Sequence, residues 1–326
     1  MTDDLAIEAT GLRKCYNAQP VVDGIDLTVA RGTVFGLLGP NGAGKTTTVR
    51  ILSTLTAPDG GTARVAGRDV VRERAAVRRR ISLTGQYAAV DGLQTGAENL
   101  RMIGRLQGLS ARAARDRAGE LLETFEIADA GARRVATYSG GMRRRLDLAA
   151  SLMRRPSVLF LDEPTTGLDP RGRRSLWSVV RSLVADGVTV LVTTQYLEEA
   201  DALADRIAVL HRGRVVAEGS APELKAAVAS RRLVVECAGP DAFGAVLRRA
   251  GERAIESDRG LQTVALGCDG DGRAVRALLD ELDGDRDLIV DFAVHTASLD
   301  DVFETLTGHP PDGEAGDTPE SESHDD

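Results

Sequence analysis

Gly39-Pro40-Asn41-Gly42-Ala43-Gly44-Lys45-Thr46-Thr47 has the spacing G-x-x-x-x-G-K-[ST]. Each of these residue types suits one task, the holding of a phosphate chain. Gly39, Gly42 and Gly44 permit unusual backbone angles, so that N–H groups can close on phosphate oxygens. Lys45 would neutralise the outer phosphates, and the Thr46 hydroxyl would ligate Mg²⁺. Further along, Val158-Leu159-Phe160-Leu161 runs into Asp162-Glu163. Asp162 would hold Mg²⁺ through its water shell, and Glu163 would activate or orient an attacking water. Gln86 and Gln195 each follow an apolar run, where α/β sheets place their ligands. Beside a phosphate site, Gln86 would touch Mg²⁺ or the attacking water, and Gln195 sits at a third strand end near the same site.

These residues need a scaffold, and the flanking sequence predicts one. Apolar runs at 34–38, 81–84, 158–161 and 188–193 read as buried strands. The segment after Lys45 reads as a helix, which brings its partial positive charge to the phosphates. Residues 5–9 and 25–29 read as short strands split by 11–24, 62–66 as another, and 72–80 as a basic helix. Residues 97–107 and 111–126 have helical spacing without β-branched runs, a helical insertion between core strands. Ser139-Gly140-Gly141 then opens a helix with Met142, Leu146, Ala149, Ala150 and Met153 on one face. This is a second anion-binding construction or a plain N-cap. Arg143, Arg144 and Arg145 read as the solvated face of that helix. The turn through Asp169-Pro170 leads into a helix over 171–185, and 196–204 is helical. Tyr16 is either a platform for an adenine ring or a half-exposed strand tyrosine.

Net charge is −8 over 326 residues, but seven acidic residues and no Lys or Arg lie in 311–326. The body therefore carries 41 basic and 42 acidic residues, and bulk charge does not point to nucleic acid. The tail composition predicts disorder. No apolar run approaches the ~18 residues of a membrane helix, and the acidic start has no signal-peptide pattern. Three cysteines without metal-ligand spacing read as reduced structural thiols. From 232 to 308 the rhythm changes: strands at 233–237, 253–256, 263–266 and 288–295, and helices at 241–250 and 273–282. This βαββαβ order predicts a small ferredoxin-like α+β domain, closed by a capped helix over 298–306.

Taken together, the motifs and their order resemble the ATP-binding subunit of ABC transporters over residues 5–224. The P-loop is Walker A, Gln86 centres the Q-loop, and Ser139, Gly140 and Gly141 carry the signature. Asp162 and Glu163 close Walker B, and Asp169 belongs to the D-loop. Tyr16 takes the A-loop place. Two departures stand out: Tyr138 and Met142 flank Ser-Gly-Gly where Leu and Gln are usual, and Gln195 replaces a histidine. At that place glutamine can still hydrogen-bond a γ-phosphate or the attacking water, but it cannot carry a proton near neutral pH. Both departures are similar to the daunorubicin/doxorubicin-resistance branch. The resemblance implies a P-loop NTPase core of ABC type with an antiparallel β subdomain and a helical subdomain, over 1–228. The helical subdomain spans about 87–155, the small domain 229–308, and the acidic tail 309–326. It implies ATP and Mg²⁺, a head-to-tail second copy, a separate permease subunit and no nucleic acid. It places the chain on the cytoplasmic face of the cell membrane, powering export of an amphipathic drug or lipid. The competing expectation is a soluble ABC ATPase acting on nucleic acid or ribosomes, a class that usually duplicates the ATPase domain or inserts a coiled coil.

Overall fold

The computed structural model describes residues 4–85, 90–228, 231–268, 272–284 and 287–295, with 299, 302, 303 and 305. The chain opens with two long strands, β1 (Leu5–Tyr16) and β2 (Gln19–Ala30). Sequence reading breaks β1 at Gly11, yet the strand continues through it. Gly11 adopts φ +58°, the register shifts there, and its N–H donates to Asp26 Oδ1 at 2.7 Å. The glycine therefore makes a bulge rather than an end. Asn17 and Ala18 both have positive φ, giving the two-residue turn that matches strand twist.

Next come β3 (Val34–Leu38), α1 (Lys45–Leu52), β4 (Gly60–Val65), β5 (Arg68–Asp69), α2 (Arg74–Arg78) and β6 (Ile81–Thr84). The helix expected over 72–80 keeps only its centre: Glu73 is occupied outside it, accepting from Arg68 and from the Asp69 N–H. Then follow α3 (Gly96–Leu106), α4 (Ala111–Thr124), α5 (Gly140–Ser151), β7 (Val158–Asp162), α6 (Pro170–Ala185), β8 (Thr189–Thr194) and α7 (Leu197–Leu203). A hairpin that sequence reading passed over, β9 (Arg206–His211) and β10 (Arg214–Gly219), precedes α8 (Ala221–Val228).

Two sheets form in this first unit, whose described residues end at Ala221. One is antiparallel, in the order β2-β1-β4-β5. The other runs β10-β9-β3-β8-β7-β6, parallel from β9 to β6 and closed by antiparallel β10. Its central strands β3, β7 and β8 are buried at every position because both faces are covered. Val158 and Phe160 turn toward one core with Val49, Ile51 and the antiparallel sheet. Leu159 and Leu161, one residue out of phase, turn toward a second core with Leu100, Leu121, Leu146 and Val180 of the helices.

Parallel pairing has a consequence for function. Strands β3, β6, β7 and β8 all finish at one edge of the sheet, and the residues just after them are Gly39, Gly85, Glu163 and Gln195. Four motifs far apart in sequence thus emerge along one line.

The second unit runs from Pro222 to Pro311. Its described elements are β11 (Arg231–Cys237), α9 (Pro240–Ala250), β12 (Ala254–Asp258), β13 (Thr263–Cys268), α10 (Gly272–Leu282) and β14 (Ile289–His295). They form an antiparallel sheet ordered β12-β13-β11-β14. Leu233, Val235, Phe243, Val246, Leu266 and Leu278 build its core. Leu299, Val302 and Phe303 from the expected closing helix are helical and buried; its other residues but Thr305, and the tail, lie outside the described residues.

Tyr138, where leucine was the family expectation, is buried, and its hydroxyl donates to Ala130 O at 2.6 Å. Tyr138→Phe strands that carbonyl, so the expected cost in urea unfolding is about 1–2 kcal/mol. A variant as stable as the parent would show that the bond contributes nothing.

Candidate active site

The loop between β3 and α1 closes tightly because two glycines meet backbone. A Cβ on Gly39 would sit 2.4 Å from Leu210 O, and one on Gly44 2.5 Å from Val21 O, where φ is +103° besides. Gly39 N–H donates to Thr194 O at 3.2 Å and so ties the loop to β8. The result curls over the first turn of α1. Lys45 is 4 % exposed, and its Nζ donates to Gly39 O at 2.6 Å and Pro40 O at 3.1 Å.

Walker B meets this loop directly. Thr46 Oγ1 donates to Asp162 Oδ1 at 3.1 Å, and Lys45 Nζ lies 3.5 Å from Glu163 Oε1. Burial lowers the Lys45 pKa, while Glu163 and then Asp162 act in the opposite direction and favour the ammonium. Thr193 Oγ1 donates to the same Asp162 oxygen at 2.5 Å and accepts from Glu163 N–H at 3.1 Å. Glu163 itself adopts φ +48°, a region a residue with a side chain occupies at a cost of about 1–3 kcal/mol. The strand is therefore broken at Glu163, which lets two adjacent acids serve one site despite strand alternation.

The oxygen donors suit a hard divalent cation: a threonine hydroxyl and a carboxylate 3.1 Å apart beside a buried lysine. Among the described residues there is no cluster of three or more His, Cys, Asp or Glu able to hold a metal unaided. Gln195 follows β8 at the same edge, half-buried, with Oε1 buried and unpartnered.

Other expected site residues stand apart. Ser139 caps α5, accepting from Met142 N–H at 3.3 Å. With Gly141 it lines a 210 Å³ cleft bounded by Leu168, Asp169 and Arg171. Asp169 caps α6 by accepting from Gly172 N–H at 2.7 Å, with Pro170 as first helical residue. Tyr16 is 43 % exposed at the end of β1, with Lys14 Nζ 5.6 Å from its ring centre. Gln86 lies outside the described residues.

Three arginines expected on a solvated face divide instead. Arg143 is exposed and donates to Val135 O and Ala136 O. Arg145 reaches Ser175 and Glu126. Arg144 is buried, donating to Gly85 O at 2.6 Å and Pro164 O at 2.9 Å. Sequence reasoning also missed Thr193 and Glu199. The only signal for Thr193 was a polar pair closing an apolar strand.

Glu199 is 1 % exposed on α7; its Oε2 accepts from Thr165 Oγ1 at 3.0 Å, and its Oε1 is unpartnered. Burial pushes its carboxyl above the usual range, and the polar groups of Thr194, Thr165 and Trp177 only partly offset this. The folded chain therefore keeps a proton that the unfolded chain releases near its ordinary pKa of ~4.3. Stability contributed at low pH is lost as pH rises from there through the raised value. Glu199→Gln should raise the melting temperature more at pH 8 than at pH 4. Equal shifts at both would show that Glu199 is not protonated by burial.

With the geometry in place, comparison with known proteins gives a consistent result. The ABC transporter family profile matches residues 22–166. The daunorubicin/doxorubicin resistance ATP-binding protein DrrA of Streptomyces peucetius is 53% identical over 94% of each chain. The Nod factor export ATP-binding protein I of Paraburkholderia xenovorans (strain LB400) is 45% identical over 73% of this chain and 78% of its own. A solved ATP-binding subunit of an ABC transporter superposes with a TM-score of 0.62 at 28% identity, covering 68% of this chain and 92% of that one. The chain belongs to the ATP-binding subunits of ABC transporters, on the daunorubicin/doxorubicin-resistance branch.

Proposed function

We propose that this chain is the ATP-hydrolysing subunit of an exporter that moves an amphipathic small molecule, drug-like or lipid, through a separate membrane subunit. Relatives named for drug resistance and for Nod factor export support a small-molecule cargo. Family membership supports a permease partner and a place on the cytoplasmic face of the membrane.

The observation that carries the mechanism is the division of phosphate-binding groups between two places in one chain. Lys45, Thr46, Asp162 and Glu163 interlock at the sheet edge. Ser139 and Gly141 instead line a cleft beside Asp169, with Gly140 between them at the start of α5. Neither Gly140 nor Gly141 has positive φ. A Cβ on Gly140 would meet nothing within 4 Å, and one on Gly141 only Leu168 at 3.9 Å. Packing within the chain does not require these glycines, which supports close approach by something from outside it. A phosphate chain held on a second copy's P-loop fits, and two copies arranged head-to-tail would each complete the other's site.

In this reading Gly39, Asn41, Gly42, Ala43, Gly44 and Thr47 shape the loop around the phosphates. Lys45 neutralises them, and Tyr16 stacks on the adenine. Thr46, Asp162 and Gln86 would hold Mg²⁺, which supplies charge neutralisation to the phosphates. Glu163 accepts the proton of the attacking water; Gln195 donates or accepts a hydrogen bond at the terminal phosphate or that water without taking a proton. Asp169 holds the D-loop turn that borders the signature cleft.

The C-terminal sheet order and its intervening helices support a ferredoxin-like domain over 229–308, following an ATPase domain over 1–228 that includes a helical subdomain at about 87–155. A disordered acidic tail over 309–326 completes the domain proposal, on composition alone.

Glu163→Gln keeps the shape and loses the base, so turnover should fall on the order of 10²–10⁴-fold. With ATP and Mg²⁺ the variant should accumulate as a dimer in light scattering, whereas Lys45→Ala should bind ATP weakly and remain monomeric. A Glu163→Gln chain that binds ATP yet stays monomeric would contradict the shared site.

A further inference from the structure

Arg144 takes no part in the mechanism above, yet its side chain sits where three parts of the site meet. Its Nη1 donates to Gly85 O at 2.6 Å, at the end of β6 and one residue before Gln86. Its Nε donates to Pro164 O at 2.9 Å, one residue after Glu163. Its backbone belongs to α5, five residues after Ser139 and on the same rigid helix. The residue is 8 % exposed, with Asp147 Oδ2 3.6 Å from Nη1.

A buried guanidinium is an unusual choice for a structural filler. Burial lowers its pKa, and only Asp147, with more distant Glu199 and Asp162, favours its charge. Nη2 is buried without a hydrogen-bond partner among the described residues. Replacing such a group by a well-packed apolar side chain is often neutral or stabilising. What an apolar side chain cannot do is grip two carbonyls from separate loops at a fixed spacing. The planar fork of arginine does that, and a lysine ammonium does not.

We propose that Arg144 is a positioning residue that couples the two nucleotide sites. It ties the strand ends at Gly85 and Pro164, which border a chain's own P-loop site, to the helix that presents Ser139, Gly140 and Gly141 to the partner's nucleotide. The inference rests on the shared-site reading above. A shift of Gly85 or Pro164 when nucleotide binds is carried through the fork to α5. Because Ser139 lies about 7–8 Å along the same helix from Arg144, its N-terminus must follow. The signature is then presented correctly only when the chain's own site is in order.

The test uses full-length chains in the Glu163→Gln background, with ATP and Mg²⁺. Arg144→Met is combined with Asp147→Asn, which removes the nearby carboxylate charge as well. Arg144→Lys, which keeps the charge and can reach only one carbonyl well, is the second variant. Three quantities are read: affinity for a trinitrophenyl-ATP probe, melting temperature, and the ATP concentration that gives half-maximal dimer by light scattering. Both variants should hold the probe within twofold of the Glu163→Gln parent and melt within a few degrees of it. Dimerisation should require at least tenfold more ATP for the Met variant and at least threefold more for Lys. A purely structural role would lower melting temperature and probe affinity together, and that result would overturn the proposal. If the Met variant does not fold, the Lys variant decides: dimerisation at the parent's ATP concentration overturns the coupling role. Failure of the parent itself to dimerise would instead contradict the shared site, and the coupling with it.

Discussion

One buried positive charge organises this protein. Lys45 is sealed under the loop that precedes it, with Gly39 O and Pro40 O as acceptors and Glu163 3.5 Å away. An ammonium withdrawn from water is stable only among acceptors and opposite charge. The loop must therefore be glycine-built, and Walker B must end against it. Backbone crowding at Gly39 and Gly44, the left-handed Glu163 and the Thr193 hydrogen bonds to Asp162 and Glu163 all follow from bringing these parts together. Such a cluster of lysine and two carboxylates is prepared for a phosphate chain, whose charge the ammonium would meet in place of Glu163.

The parallel sheet is the means of assembly. With β3, β8, β7 and β6 side by side and in one direction, segments that follow them emerge at one edge without any long excursion. The helical insertion then carries the signature helix, through α3, α4 and α5, to a cleft beside the start of α6. The P-loop and the cleft at Ser139 are thereby built on one sheet but at separate places, a geometry that fits the proposed sharing of sites between two copies.

Much of this was legible before any coordinates. The P-loop, Asp162, Glu163 and the position of Gln195 could be read because local spacing alone encodes them, and the buried strands because unbroken apolar runs mark a sheet covered on both faces. What escaped depends on tertiary neighbours. Arg144 looks like Arg143 and Arg145 in sequence, and only the approach of Gly85 and Pro164 separates them. Thr193 reads as one more strand residue until its hydroxyl meets Asp162. A glycine such as Gly11 is ambiguous in sequence between a turn and a bulge, and the Asp26 carboxylate decides for the bulge. Glu199 sits among ordinary helix residues, and its raised pKa arises from burial that no local pattern announces.

The central claim is that one chain supplies the P-loop and another the signature. Mixing purified Lys45→Ala and Ser139→Arg chains, each inactive alone, tests it most directly. In a mixed pair one site combines both defects, and the other combines an intact P-loop with an intact signature. The account predicts that ATP hydrolysis by the subunits with their membrane partner reappears on mixing, at up to about half the unmodified rate per mixed pair if the two sites turn over independently. If mixing restores no hydrolysis while both chains bind nucleotide-free partner normally, the site is not shared and the account is wrong.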